Sequence, residues 1–225
     1  MAQNLITDTA FYRSAITHII QLYTDSVKEN LRLYNGNEFT GAYSGNSGHP
    51  YFEYREPQIG SVFYDGIYYP DVLLSYDITR DEIILVNPTK NLNIKLITQK
   101  INWFTIQNHL FTNIREDTLA AGFPGSGFYE LLYEGAASVL SKRKKQLSQS
   151  LKADELSKFL QWIEYYVKKD SVYYSVSGKR SLLAVCKDHK IEVTKFMQKE
   201  NLNFKKDPAN TIIKVIDYYT QLKNN

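Results

Sequence analysis

The four histidines of the chain decide whether metal or acid–base chemistry can be expected. They are His18, His49, His109 and His189. No two of them have the four-residue spacing that places two metal ligands on one face of a helix. The chain has a single cysteine, so a site built from several thiolates is excluded. We therefore predict no bound metal and no cofactor.

His49 is the histidine whose surroundings best suit a function. It precedes Pro50 in the loop-like segment Gly45-Asn46-Ser47-Gly48-His49. An imidazole there either caps a turn or contacts a ligand, and we keep His49 as a candidate binding residue. Serine also lies between glycines in Gly125-Ser126-Gly127, but neither segment has the strand–turn–helix pattern of a hydrolase elbow. We predict no catalytic residue, with a hydrolase that has a non-standard site near His49 as one alternative.

The basic run Lys142-Arg143-Lys144-Lys145 has two interpretations. Clustered cations can contact phosphate or acidic glycans. Charges along a strand edge equally discourage pairing with another chain. We name Lys142, Arg143, Lys144 and Lys145 as candidate anion-binding residues. The net charge of +3 is too small to indicate a nucleic-acid partner.

Aromatic residues are the most unusual feature of the composition, with 18 tyrosines and 11 phenylalanines. Tyrosine combines an apolar ring with a polar tip, which suits sheet faces and ligand grooves. Several rings flank Asp65-Gly66, and side chains alternate between the two faces of a strand. One face must be core, and the other can be an exposed aromatic strip. The candidate binding residues are Tyr64, Tyr68, Tyr69 and Trp103, for a glycan, a peptide or an envelope protein.

The elements that position these residues predict an α+β fold in a single domain of residues 1–225. Residues 1–36 form an amphipathic N-terminal helix, because apolar residues recur at helical spacing. The stripe consists of Tyr12, Ile16, Ile19, Ile20, Tyr23, Val27, Leu31 and Tyr34. Residues 59–142 contain short strands with regular turn signals, typical of an antiparallel β-meander that can curl into a partial barrel. Asp65-Gly66 predicts a tight hairpin between two of these strands.

Residues 151–225 are predicted to be mainly helical. Leu156, Phe159, Leu160, Ile163 and Val167 fall on one helical stripe, with Asp154 available as the N-cap. Residues 172–176 suit one last short strand. Residues 181–200 suit two short helices around Lys187-Asp188-His189, and Asp207-Pro208 is a typical helix start.

The remaining sequence features are the single cysteine, the lack of a membrane-spanning stretch and the N-terminus, which bears on the cellular location of the protein. Cys186 lies in an apolar run and is expected to be a small buried side chain. No stretch is long and apolar enough to span a bilayer. Met1-Ala2-Gln3 is followed by no signal peptide. A small residue before Gln is common at the start of a mature exported protein, with Met1 as an added start; an ordinary cytoplasmic start is the alternative.

Several strings in the chain resemble a widespread group of exported proteins of Bacteroidota. They are Leu33-Tyr34-Asn35-Gly36 with Glu38, Gly48-His49-Pro50-Tyr51-Phe52, Gly60-Ser61-Val62-Phe63-Tyr64-Asp65-Gly66, Leu74-Ser75-Tyr76-Asp77, Gly127-Phe128-Tyr129-Glu130-Leu131-Leu132-Tyr133-Glu134-Gly135, Lys142-Arg143, Asn203-Phe204-Lys205-Lys206-Asp207 and Tyr218-Tyr219. The resemblance covers nearly the whole chain. It implies export to the periplasm or cell surface, with Met1 in place of a removed signal peptide. It brings no catalytic residues with it.

Three functional hypotheses follow from the sequence. The first is an extracytoplasmic, non-enzymatic binding or structural protein of the bacterial cell envelope. The second is an accessory subunit of an outer-membrane protein assembly, which would use exposed aromatic residues as its interface. The third is the hydrolase with a site in the loops around His49 and Gly125.

Overall fold

The computed structural model describes residues 32–34, 36–41, 46–87, 92–115, 122, 125–148 and 156–223. The predicted N-terminal helix of residues 1–36 lies outside this part of the chain, apart from Gly36 and a 3-10 turn at Arg32–Tyr34. The proposed cap Asp154 also lies outside it.

One antiparallel sheet dominates the described residues. Its strands are β1 (Asn37–Glu38), β2 (Asn46–Ser47), β3 (Gln58–Tyr64), β4 (Ile67–Asp77), β5 (Glu82–Asn87), β6 (Leu92–Lys95), β7 (Ile101–Ile106), β8 (His109–Ile114), β9 (Gly127–Tyr133), β10 (Ala137–Ser148), β11 (Ser157–Lys169) and β12 (Val172–Ser175). Their spatial order is β1-β6-β5-β4-β3-β7-β8-β9-β10-β11-β12, and β2 pairs with β11 in parallel. The predicted meander is confirmed, and the sheet is not closed into a barrel.

The predicted hairpin at Asp65-Gly66 is confirmed. Both residues have positive φ, 52° and 81°, as a tight two-residue turn requires. Tyr64 pairs with Ile67 directly across this turn. The strand expected at residues 72–76 is the second half of β4, which runs without interruption from Ile67 to Asp77.

Aromatic packing shows that the sheet curls over its main core. Tyr76 of β4 packs edge-on against Phe128 of β9, with ring centroids 5.8 Å apart, although three strands lie between β4 and β9 in the sheet. Tyr76 also contacts Phe104 and Phe111 from β7 and β8. All four rings are buried. Only a curved sheet can bring side chains of such distant strands together on one face.

Asp81, in the turn between β4 and β5, connects this hairpin to strands β9 and β10, which the curl of the sheet brings close to it. Its carboxylate accepts hydrogen bonds from the Tyr76 hydroxyl at 2.6 Å and from the Lys142 ammonium at 2.6 Å. It also accepts one from the backbone N–H of Phe128 at 3.3 Å. Asp81 therefore joins the end of β4 to the start of β9 and to β10.

Three helices pack against the other end of the sheet. They are α1 (Lys179–Val185), α2 (Lys190–Lys199) and α3 (Pro208–Lys223). Ile212, Val215 and Ile216 of α3 are fully buried in a second core with Val139 and Val167 of the sheet. The two short helices and the helix start at Asp207-Pro208 were predicted and are confirmed. None of the described helices is long and apolar enough to cross a membrane.

The helix predicted from Leu156 to Val167 is wrong, because this segment is β11. Strand β11 pairs with β10 along its whole length, from Ala137 opposite Lys169 to Ser148 opposite Lys158. Phe159, Ile163 and Val167 lie on one face in a strand as well as on one stripe of a helix, so the apolar spacing fits both. Long-range pairing with β10 decides in favour of the strand, helped by the β-favouring aromatic residues of the segment. The sheet thus extends from Asn37 to Ser175, beyond the predicted residues 59–142, and the C-terminal part is helical only from Lys179 onward.

Cys186 is fully buried at the end of α1, as expected. Burial raises the pKa of its thiol to about 12, and the reactive form of a thiol is the thiolate. We expect Cys186 to react with a thiol-specific chromogenic disulfide at pH 8 at least about a hundredfold more slowly in the folded protein than in denaturant. It is the one cysteine of the chain, so the absorbance change reports this residue alone. Equal rates in the two conditions would contradict the buried placement.

Candidate binding surface

Strand alternation brings three of the aromatic side chains together on the outer face of the sheet. Phe63 of β3 lies directly opposite Tyr68 on β4 and directly opposite Trp103 on β7. Side chains at directly opposed positions share one face. Tyr68 is 51% exposed, and Phe63 and Trp103 are half-buried. We call Phe63, Tyr68 and Trp103 the aromatic surface.

The rings of the aromatic surface are in mutual contact. The Trp103 ring stacks on Phe63 with a centroid distance of 6.0 Å and an interplanar angle of 16°. It also contacts Tyr68, at 5.6 Å and 34°. Tyr68 and Trp103 come from strands on either side of β3, so their rings lean towards each other over it. The contacts hold the rings in place and lower the side-chain entropy that a ligand would otherwise have to restrict.

Tyr64 and Tyr69 do not belong to this surface, which corrects their selection as binding residues. They are 2% and 6% exposed and lie in the main core. The physical reason is the two-residue period of a strand, which turns the neighbours of Phe63 and Tyr68 to the opposite face. A ligand cannot reach either ring in this fold.

Strands β3 and β7 have neighbours on both sides beneath the aromatic surface, whereas β4 pairs with β5 only from Leu74 onward. Strand β3 is paired with β4 on one side and with β7 on the other. The backbone groups of β3 and β7 are therefore engaged, and at Phe63 and Trp103 only side chains can contact a ligand. An ion pair between Lys100 and Asp65, at 3.0 Å, lies at the hairpin end of the surface. The backbone N–H of Asp65 also donates to the carbonyl of Lys100, which ties the hairpin turn to the start of β7.

The structure does not bring the basic run together into one anion site. Because it lies within β10, its side chains alternate between the two faces, and each is already bound within the protein. Lys142 pairs with Asp81, Arg143 with Glu130 and Lys144 with Glu164, while Lys145 donates to the carbonyls of His49 and Tyr51. Lys142 is only 7% exposed. Each of the four cations therefore has a partner within the protein, and the Lys144 side chain is 42% exposed.

His49 lies apart from the aromatic surface. Its ring stacks with that of Tyr51 at 6.2 Å, and its carbonyl accepts a hydrogen bond from Lys145. Burial lowers the pKa of its imidazole, and the charges of Lys145 and Arg55 lower it further. The Nδ1 atom is buried and makes no hydrogen bond to a serine or carboxylate in the described part of the chain. That part therefore lacks the contact that a hydrolase site around His49 needs.

A buried polar cluster around Glu130 was not predicted from the sequence. Its carboxylate is hydrogen-bonded to His109 at 2.5 Å, to Ser141 at 2.9 Å and to Arg143 at 2.9 Å. Arg143 in turn lies over the ring of Phe52, 5.0 Å from its centroid. The available signal was an acidic residue in the middle of the apolar run Phe128–Tyr133. Its partners come from two other strands, and sequence spacing does not reveal them.

The pKa of Glu130 reflects this environment. Burial alone would raise the pKa of the carboxyl, but the hydrogen bonds from Arg143, His109 and Ser141 outweigh burial and hold it below its usual range. Glu130 is therefore a charged group that binds β8, β9 and β10 together. Within the described ranges, no group of three or more His, Cys, Asp and Glu side chains is arranged to hold a metal ion.

Comparison with known proteins found no match for this chain among protein-family models, curated proteins or solved structures. The described geometry defines the protein as an α+β chain with a curled antiparallel sheet and an exposed aromatic surface on its outer face.

Proposed function

We propose that the protein is a non-enzymatic binding protein of the bacterial cell envelope, and that its aromatic surface takes up a glycan. The observation that carries this proposal is the contact of Phe63, Tyr68 and Trp103 on the outer face of β3, β4 and β7. An aromatic ring that stays exposed in the folded protein does not gain the favourable free energy of burial. A cluster of such rings on a solvent-facing sheet is therefore typical of a recognition surface.

Glycan chemistry suits this surface better than peptide chemistry. An extended peptide commonly binds by adding a strand to a free sheet edge. The three rings instead lie on the face of the sheet around β3, which has neighbours on both sides, and a strand added at the outer edge of β4 would lie beside Tyr68 and two strands away from Trp103. A sugar ring has a C–H face that packs on an aromatic ring through dispersion and burial, while its hydroxyl groups stay hydrated. The Asp65–Lys100 ion pair at one end of the surface supplies charged groups that sugar hydroxyls can hydrogen-bond.

Location in the cell envelope is supported by the sequence. The strings that resemble exported proteins of Bacteroidota extend over nearly the whole chain. A protein at the periplasm or cell surface meets peptidoglycan and other polysaccharides, which fit the aromatic surface.

Co-sedimentation with purified peptidoglycan sacculi tests this function. We expect the wild-type protein to sediment with sacculi, and we expect Tyr68→Ala and Trp103→Ala each to weaken binding about three- to tenfold, the loss of one aromatic contact. Tyr174→Ala is the matched control, because Tyr174 is a 39% exposed tyrosine on another strand, β12. It should bind like the wild type.

Two results would contradict the glycan proposal. The first is failure of the wild-type protein to sediment with sacculi at any tested concentration. The second is equal sedimentation of the wild type and the Tyr68→Ala, Trp103→Ala double variant. If binding to crude envelopes survives digestion of the glycan and still requires Tyr68 and Trp103, the surface serves an envelope protein, as in the accessory-subunit hypothesis.

A further inference from the structure

A cavity of about 290 Å³ lies on the sheet between β8 and β12. Its walls include side chains from five strands or the turns that follow them, among them Thr112, Leu131, Glu134, Leu140, Lys168 and Tyr173. This volume is near the lower end of small-molecule binding sites. The cavity therefore suits a small ligand and not a macromolecule.

Opposite charges line the cavity without neutralising each other. Glu134 and Lys168 are both exposed and both line the cavity, and in the described part of the chain they form no ion pair with each other. Lys168 is held over the ring of Tyr173, 5.4 Å from its centroid, in a cation–π contact that fixes its direction. A ligand that carries one positive and one negative group can satisfy both side chains at once.

A β-bulge brings Glu134 to the cavity. Leu131 lies in β9 and Glu134 directly follows its end, three residues on, so uninterrupted alternation would direct their side chains to opposite faces of the sheet. The pairing of β9 with β10 shifts register between the Tyr133–Val139 and Leu131–Leu140 pairs. The extra residue reverses the alternation, and both side chains reach the same cavity. Bulges commonly redirect a side chain beside a functional site.

Apolar side chains form part of the remaining wall, beside Thr112 and Asn113. Leu140 and Tyr173 are 3% and 6% exposed, and Leu131 packs against them. Ser138 lies directly opposite Lys168 in the β10–β11 pair and also lines the cavity, which adds a hydroxyl group to the lining. The cavity thus combines a cation, an anion, a hydroxyl and an apolar wall.

We propose that this cavity binds a small zwitterion with an apolar side chain, of the size of a dipeptide. Lys168 and Ser138 bind the ligand carboxylate, Glu134 binds its ammonium, and Leu131 and Leu140 contact its side chain. The site is separate from the aromatic surface, so its test does not depend on glycan binding.

The test uses the dipeptide L-alanyl-L-leucine and two blocked forms, the N-acetylated peptide and the C-terminal amide. We expect the zwitterion to shift the backbone amide NMR signals of Asn113, Ser138 and Lys168 in the full chain. We expect each blocked form to bind roughly five- to tenfold more weakly, because each lacks one charge-assisted hydrogen bond. Equal binding of the three peptides, or no shift at millimolar concentrations of the zwitterionic peptide, would overturn the proposal.

Variants assign the charges to residues. Glu134→Gln should reduce binding of the zwitterion about fivefold and leave the affinity for the N-acetylated peptide unchanged, because that peptide has no ammonium. Lys168→Gln should likewise reduce binding of the zwitterion about fivefold and leave the affinity for the C-terminal amide unchanged, because that peptide has no carboxylate. Glu192→Gln and Lys187→Gln remove exposed charges on and next to α2 and serve as matched controls with wild-type affinity. A loss that is the same for all three peptides would show general damage to the cavity and count against the assigned contacts.

Discussion

Replacing Glu130 with alanine is expected to lower the free energy of unfolding by about 4 kcal/mol. Removal of one partner of a buried ion pair generally costs roughly 3–5 kcal/mol in proteins. The side chain of Glu130 is 4% exposed and that of Arg143 is 17% exposed. Without the carboxylate, the largely buried Arg143 cation loses its ion-pair partner, and Ser141 and His109 each lose a hydrogen bond. Urea unfolding monitored by circular dichroism measures the change.

The matched control for this substitution is Glu164→Ala. Glu164 is also a strand carboxylate paired with a lysine, Lys144, but its side chain is 33% exposed. Its exposed ion pair contributes little, but Glu164 also accepts hydrogen bonds from Trp162 and from the hydroxyl of Tyr166. We therefore expect a loss of about 2 kcal/mol, below that of Glu130→Ala. Equal losses for the two variants would contradict the importance of burial at Glu130.

The same carboxylate gives the stability a predictable pH dependence. Because the pKa of Glu130 is lowered in the folded protein, its contribution is present above the unfolded pKa, about 4.3. The contribution is lost as the pH falls through the lower folded value. The difference in stability between wild type and Glu130→Gln should therefore be constant at neutral pH and shrink below about pH 4. A difference that grows on acidification would show the opposite linkage.

Asp81→Ala is expected to cost about 3 kcal/mol of unfolding free energy. Asp81 holds the buried Lys142 ammonium, whose side chain is 9% exposed, and burial lowers the pKa of Lys142 while Asp81 opposes this shift. Removing the carboxylate also leaves the buried Tyr76 hydroxyl without its acceptor. The loss should appear in the folding equilibrium of the whole sheet, since Asp81 fastens the β4–β5 hairpin to β9 and β10.

Two further variants separate the lost contacts of Asp81 from its backbone strain. Asp81 has a φ of 58°, and Asp170, in the turn between β11 and β12, has a φ of 50°. Asp170→Ala therefore carries the same backbone strain without the buried partner, and we expect a loss of about 1 kcal/mol. Lys142→Met should lower the free energy of unfolding less than Asp81→Ala does. It leaves the Asp81 carboxylate without its lysine, but that side chain is 28% exposed and water can hydrate it. A Lys142→Met, Asp81→Ala double variant as destabilised as the sum of the two would contradict direct coupling.

Local chemistry explains which elements the sequence predicts. Asp65-Gly66 predicts its hairpin because the turn depends on two residues that tolerate positive φ. Asp207-Pro208 predicts the start of α3 because a cap and a proline act within one turn. In both cases, the determining interactions lie within a few residues of each other.

Long-range pairing explains what the sequence does not reveal. Segment 157–169 has apolar spacing that fits a helix and a strand, and its pairing with β10 selects the strand. The partner of Lys142 is Asp81, 61 positions earlier in the chain. Exposed and buried tyrosines of the 63–69 region can be separated by alternation, but which face is core depends on the curl of the sheet. Tyr68 and Trp103 could therefore be predicted as candidates, whereas Tyr64 and Tyr69 could be excluded only with the fold.

The fluorescence of Trp103 tests most directly whether a ligand lies on the aromatic surface. The chain has two tryptophans, so the Trp162→Phe variant leaves Trp103 as the sole reporter. Titration with soluble glycan fragments released from sacculi should change the intensity or wavelength of Trp103 emission with saturation, and Tyr68→Ala should weaken the response about three- to tenfold. Fragments that bind the protein, as shown by calorimetry, while Trp103 emission stays constant would contradict the placement of the ligand on this surface.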